Sequence, residues 1–198
     1  MPAPRADSPP MIGGNDEALM GALAAGDTAA LNLLMDRWQV PLRSFLYRYT
    51  QNEPDALDLA QETFVRVYQH RARYRTGAHF STWVFQIALN LARSRARWQR
   101  RHPTDPLENE SEDAGAQMQV STEVTPAEAA LTVERAAAVR AAVAALPAEL
   151  REAVVLFEYQ DKTHAEIAEI VRATPKAVET RLYRARQQLR KTLARYFV

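Results

Sequence analysis

The chain has 198 residues, a net charge of +1 and 47% hydrophobic residues, which suits one domain or two small ones with packed cores. It contains no cysteine, which excludes disulfides, thiol catalysis and cysteine-based zinc sites. No apolar run reaches bilayer length, and the start "MPAPRADSPPMIGG" lacks the apolar core of a signal peptide, so a cytoplasmic protein without membrane insertion is expected.

Alanine is abundant and glycine sparse, which favours helices. Residues 1–15 are proline-rich with little to bury and read as a disordered tail. Asn15 is placed to cap a short helix carrying Leu19, Met20 and Leu23, closed by Gly26. Asp27 is placed to cap the next, whose apolar positions Leu31, Leu34, Met35, Trp38, Leu42, Phe45, Leu46 and Tyr49 keep one face inward. Pro41 lies inside that pattern and predicts a kink or a division. A third helix is expected from about Pro54 to Arg73, with Leu57, Ala60, Phe64 and Val67 inward. After the loop "YRTGAH", Ser81 is placed to cap a fourth helix with Trp83, Ile87 and Leu91 at four-residue spacing. Together these predict one α-helical domain over residues 16–102.

Charge is distributed unevenly. The stretch "FSTWVFQIALNLARSRARWQRR", Phe80 to Arg101, ends in five arginines without one acid. From Pro103 to Glu128 there are seven acids and no lysine or arginine; from Arg181 to Val198 there are six bases and no acid. A near-neutral total thus hides two basic patches and an acidic connector. The connector, 103–128, has no helical or strand period and reads as a flexible linker between separate domains. Helices resume near Ala127, with Leu131, Val139, Val143 and Leu146 apolar, and Pro147 suits the first position of another helix reaching about Tyr159. The expected fold is all-α: two small helical domains, the second over 129–198.

"THAEIAEIVRATPKAVETRLYRARQQLRK" has a helix-turn-helix pattern. Thr163 and Glu166 form a capping box for a helix burying Ala165, Ile167, Ala168 and Val171. Thr174 caps a second helix that opens with Pro175 and buries Val178, Leu182, Ala185 and Leu189. As a recognition helix it offers Lys176, Ala177, Glu179, Thr180, Arg181 and Arg184 towards base edges, with Arg186 and the later bases meeting phosphate and Thr163 standing at the cap of its partner. An ordinary helical hairpin with a solvated basic face is the competing reading, since helix C-termini favour cations in any case.

The pieces "DALDLAQETFVRVY", "FSTWVFQIALNLAR", "LPAELREAVVLFEYQDKTHAEIAEI" and "VETRLYRARQQLRK", in this order and split by an acidic connector, resemble the extracytoplasmic-function (ECF) sigma factors of bacterial RNA polymerase. The resemblance implies an initiation factor that binds core RNA polymerase and directs it to promoter DNA. It assigns core-polymerase binding to Asp58, Gln61, Glu62 and Arg66, and reading of the opened minus-ten element to Phe80, Thr82, Trp83, Gln86, Asn90, Arg93 and Arg97. It assigns duplex minus-thirty-five recognition to the helix-turn-helix, and an anti-sigma factor as regulator. It also gives the connector a path through the polymerase cleft.

Aromatic faces and a polar amide suit unstacked single-stranded bases, each stacked base contributing roughly 1–3 kcal/mol. Trp83 and Phe85 equally suit a core, and at least one of them is expected to be buried. Arg172 stands in the turn where many relatives have glycine, which implies either a different turn or a left-handed arginine. Glu179 places a negative charge on the recognition helix, which repels phosphate but can accept from cytosine N4. A free-standing helix-turn-helix regulator is the alternative. The histidines (His70, His79, His102, His164) are scattered and no phosphate loop is present, so neither an enzyme, a small-molecule substrate, a metal nor a cofactor is expected.

Overall fold

The computed structural model describes residues 16–75, 77, 79–102 and 126–196, the side chains of 126–130 excepted. The tail over 1–15, the Asn15 cap and the acidic connector up to Thr125 lie outside the described residues.

Among the described residues there are eight α-helices and no strand: α1 (Asp16–Ala24), α2 (Ala29–Thr50), α3 (Glu53–Gln69), α4 (Phe80–Arg101), α5 (Pro126–Ala144), α6 (Ala148–Tyr159), α7 (His164–Val171) and α8 (Pro175–Leu193). None of them is long and apolar enough to cross a membrane. The first four pack on one another around α2, and α5–α8 form a second group around α8.

In the first group the core is aromatic. Trp38 and Phe45 of α2 meet Phe80 and Phe85 of α4 edge-on at 5.2–5.9 Å. Such pairs contribute about 0.5–1.5 kcal/mol each beyond the area they bury. The Trp38 indole nitrogen donates to buried Asp16 at 3.0 Å, and Arg37 donates to the same carboxylate at 2.9 Å, which ties α1 to α2. The polar atom of the core tryptophan and the buried charge satisfy each other, as burial requires.

Several expectations need correction. Pro41 does not divide α2, which continues through it from Ala29 to Thr50. Trp38 and Leu42, on either side of the proline, are both buried, and this anchoring outweighs the one lost backbone donor. Leu57 is 45% exposed, and Leu59, two residues on, is inward with Ala56, Ala60, Phe64 and Val67. In α7 Ala165 is exposed and Ile170 takes the inward place; Leu131 of α5 is 51% exposed. Helix α4 begins at Phe80, one residue before Ser81, with His79 in the cap position and no side-chain cap bond. Trp83, Ile87 and Leu91 lie at the core margin, while Phe80, Val84, Phe85, Ala88, Leu89 and Ala92 fill it.

The helix-turn-helix follows its local chemistry. The Thr163–Glu166 capping box is complete at the start of α7, and the Thr174 side chain accepts from the Ala177 backbone N–H at the start of α8. Arg172 adopts the left-handed conformation, φ 57° and ψ 55°, while its amide closes the end of α7. A non-glycine residue there costs roughly 1–2 kcal/mol. Glycine's larger chain entropy returns about 0.5–1 kcal/mol of that in a substitution. Arg172→Gly is therefore expected to stabilise the α7–α8 pair by about 0.5–1 kcal/mol in urea melts. An unchanged or lower midpoint would show that the exposed arginine side chain contributes more than its backbone costs.

The two helical groups are joined into one hydrophobic core. Helix α7 lies along α4, and α2 meets α5 and α6. The packing is thus closer than two separate domains on a tether would require.

Candidate nucleic-acid interface

Helix α4 carries the residues assigned to single-strand reading, and the fold sorts them by depth. Phe80 is 1% exposed and Thr82 is 7% exposed, so in this packing neither presents a surface to a base, contrary to the expectation for both. The phenyl ring of Phe80 is taken up by Trp38, Tyr74 and Trp83. Phe85 is core as well. Trp83 is half-buried, tilted against Tyr74 at 5.2 Å, so Tyr74, Phe80 and Trp83 make an aromatic cluster that surfaces only at its margin. Asn90 and Arg97 are exposed on α4, while Gln86 and Arg93 are partly covered by the second helical group.

The five arginines of α4 are not equally available. Arg95 donates to Asp55 at the start of α3 at 3.0 Å, where Gln99 donates at 2.8 Å. Arg93 holds Glu152 of α6 through two bonds, Nε at 2.8 Å and Nη2 at 2.6 Å. Those bonds to Glu152 push the Arg93 guanidinium above its ordinary range. The sequence run without an acid is thus partly neutralised by acids 40 and 59 residues away. Arg97, Arg100 and Arg101 remain exposed at the C-terminal end.

The expected ridge on α3 forms one wall of a groove. Asp58, Gln61, Glu62 and Val65 face Leu91, Ser94, Arg95, Trp98 and Arg101 of α4 across it. Glu62 and Arg66 pair at 2.8 Å on the helix surface. Val65 and Trp98, 46% and 47% exposed, give the groove an apolar lining that the sequence reading did not include. The available signal was spacing: Trp98 follows Leu91 by two turns on the face of α4 that also carries Ser94 and Arg95.

On α8 the outward strip is Lys176, Glu179, Thr180, Tyr183, Arg184 and Gln187. Lys176 donates to Glu179 at 2.8 Å, and that bond holds the Glu179 carboxyl below the usual carboxylate range. The negative charge is thereby locally balanced. Ala177 is half-buried at the start of the helix, and Thr163 spends its hydroxyl on the α7 capping box. Arg181 and Arg186, assigned to DNA from the sequence, turn instead towards α6. Arg181 pairs with Glu149 at 2.9 Å, and Arg186 approaches Glu158 at 3.4 Å and covers the Phe157 ring. They brace the recognition helix from behind. Tyr183, 64% exposed and seven residues after Lys176, is the aromatic of the strip that the sequence reading passed over.

The family model for sigma-70 region 2 matches residues 34–102, and that for sigma-70 region 4 matches residues 136–189. The RNA polymerase sigma-H factor of Pseudomonas aeruginosa is 28% identical over 90% of this chain and 93% of its own length. The ECF RNA polymerase sigma-E factor of Haemophilus influenzae is 31% identical over 88% of this chain and 93% of its own. The chain belongs to the ECF sigma factors. The likeness extends to three dimensions: CnrH, solved in complex with the cytosolic domain of CnrY, superposes with a TM-score of 0.67 at 25% identity, covering 90% of this chain and 97% of that one. Within this sigma factor, region 2 is α2–α4 and region 4 is the end of α5 through α8. The α3–α4 groove and the aromatic cluster belong to the former and the α8 strip to the latter.

Proposed function

We propose that this sigma factor directs core RNA polymerase to promoters, docking on it through the α3–α4 groove and reading the two promoter elements with α4 and α8. The observation that carries the reading is the coexistence, in one chain, of a helix-turn-helix strip and a separate groove lined by apolar and charged side chains. A free-standing regulator needs the strip but has no use for the groove. The groove suits a helical partner that lays apolar side chains over Val65 and Trp98 and basic ones beside Asp58 and Glu62.

On α4, Asn90 and the surfacing margin of Trp83 supply base contacts, and the exposed arginines supply phosphate contacts. On α8, Lys176, Glu179, Thr180, Tyr183 and Arg184 face the duplex minus-thirty-five element. An anti-sigma partner fits the reading, since the related CnrH was solved in complex with the cytosolic domain of CnrY. No chemical step is asked of the chain itself.

Run-off transcription with bacterial core polymerase and randomised promoters tests the whole reading. Transcripts that start only when the protein is added are expected. Specific duplex binding by the protein alone, without such transcripts, would favour the regulator. A sharper test concerns Tyr183. Tyr183→Ala is expected to cost about 1–3 kcal/mol at the upstream element, the range of one lost base-pair contact. Its effect should appear in promoters that depend on that element and vanish where the element is randomised. An equal loss on both would make Tyr183 a structural residue.

A further inference from the structure

Between Pro175 and Val198 the chain has one acid, Glu179, and it stands on the outward strip of α8. Every phosphate that the strip approaches repels a carboxylate there. The helix dipole does not account for it. That field favours acids in the first turn and fades beyond it, and the first turn of α8 holds none. The carboxylate does not tie α8 to another helix either. Its bond goes to Lys176, three residues back at 2.8 Å, and both side chains are exposed. A surface pair of this kind stabilises a helix only weakly.

The neighbouring polar groups are engaged elsewhere. The Thr180 hydroxyl donates to the Lys176 carbonyl at 2.9 Å and so closes on its own helix. Arg181 is turned to Glu149 of α6. Lys176 and Glu179 thus hold a donor and an acceptor side by side near the start of α8, the end at which a recognition helix meets base edges.

We infer that Lys176 and Glu179 act as one reader of a C·G pair in the minus-thirty-five element, Glu179 accepting from cytosine N4 and Lys176 donating to O6 and N7 of the paired guanine. The inference rests on the proposed reading of the duplex element by α8. A C·G pair shows the major groove an amino donor beside two acceptors, the complement of a carboxylate beside an ammonium. The Lys176 bond holds the Glu179 carboxyl below the usual carboxylate range, so the group serves as an acceptor alone. Guanine or thymine under Glu179 would set an acceptor against it. Adenine offers its N6 donor but brings the N7 acceptor alongside, and the paired thymine gives Lys176 a single acceptor next to a methyl group. The order of preference at this position is therefore cytosine, then adenine, then guanine and thymine. Selection here works as much by rejecting wrong bases as by holding the right one.

The test uses the full chain with bacterial core polymerase and promoters whose upstream element alone is randomised. With the unmodified chain, one position is expected to favour cytosine over guanine or thymine by about tenfold or more, within the usual cost of one mismatched pair. Glu179→Gln, nearly the same in shape, should move the preference at that position to adenine, because an amide pairs with adenine N6 and N7 together. Glu179→Ala should level the four bases there and raise transcription from the promoters previously rejected. Other positions of the element should keep their preferences in both variants.

An upstream preference that survives Glu179→Gln and Glu179→Ala unchanged overturns the inference and leaves the reading by α8 in place. Protein-dependent transcripts with no upstream preference at all reject α8 as the reader, and the inference with it. An equal loss on every promoter, with a lowered urea midpoint, makes the pair a structural device and overturns the inference as well.

Discussion

Phe85→Ala is expected to unfold the first helical group rather than to remove a base contact. The ring is 1% exposed and sits edge-on to Trp38 and Phe45 at 5.9 Å and 5.2 Å. Truncating a fully buried phenylalanine costs about 3–5 kcal/mol, the lost transfer energy plus the cavity left behind. Against a total stability of about 5–15 kcal/mol this is a large share. At about 2–4 °C per kcal/mol for a chain of this size, the melting temperature should fall by about 6–20 °C. Phe85→Leu keeps most of the volume and should cost less. Initiation would be lost in Phe85→Ala at temperatures where Phe85→Leu still works. A Phe85→Ala protein with an unchanged melting curve and defective strand binding would instead make the ring a base platform.

That prediction depends on depth, and depth is the part of the site that the sequence specified least. The period of α4 was plain, yet Trp83, Ile87 and Leu91 form one apolar stripe and Phe80, Val84, Ala88 and Ala92 another, one residue out of phase. Both satisfy helical spacing. Which one faces inward is decided by α2, where Trp38 and Phe45 offer ring edges to Phe80 and Phe85. The same ambiguity misplaced Leu57 against Leu59 in α3 and Ala165 against Ile170 in α7.

Features written in neighbouring residues were legible. The Thr163–Glu166 box and the Thr174–Pro175 start fold as their own short-range hydrogen bonds dictate. The left-handed Arg172 was one of two conformations foreseen for the turn. Order of motifs was legible too, and it led to the correct family.

Charge pairing was not legible, because it is tertiary. Nothing near Arg93 or Arg95 in sequence announces Glu152 or Asp55, and nothing near Arg181 and Arg186 announces Glu149 and Glu158. A run of arginines therefore overstates the positive surface available to DNA. The three of α4 that remain exposed lie at its C-terminal end, and the bases of α8 divide between an outward strip and a brace against α6.

The ridge of α3 yields the second large effect. In Asp58→Arg/Glu62→Arg, two acids on the groove rim become cations beside Arg95 and Arg101. A partner helix with basic residues at this rim would then meet like charge, which costs several kcal/mol. Affinity for core polymerase is expected to fall at least about a hundredfold, the equivalent of about 2.8 kcal/mol.

The fold should survive the change. Asp58 is exposed, and the Glu62–Arg66 pair is a surface i,i+4 pair of the kind that contributes only about 0.3–0.5 kcal/mol. Fluorescence anisotropy with labelled core polymerase reads the affinity, and thermal melts read the fold. Duplex binding by α8 provides an internal control, because that strip lies on the other helical group. Loss of core binding with unchanged melting and unchanged duplex binding would assign the groove to the polymerase. Undiminished core affinity would reject that assignment and move the docking surface elsewhere on the chain.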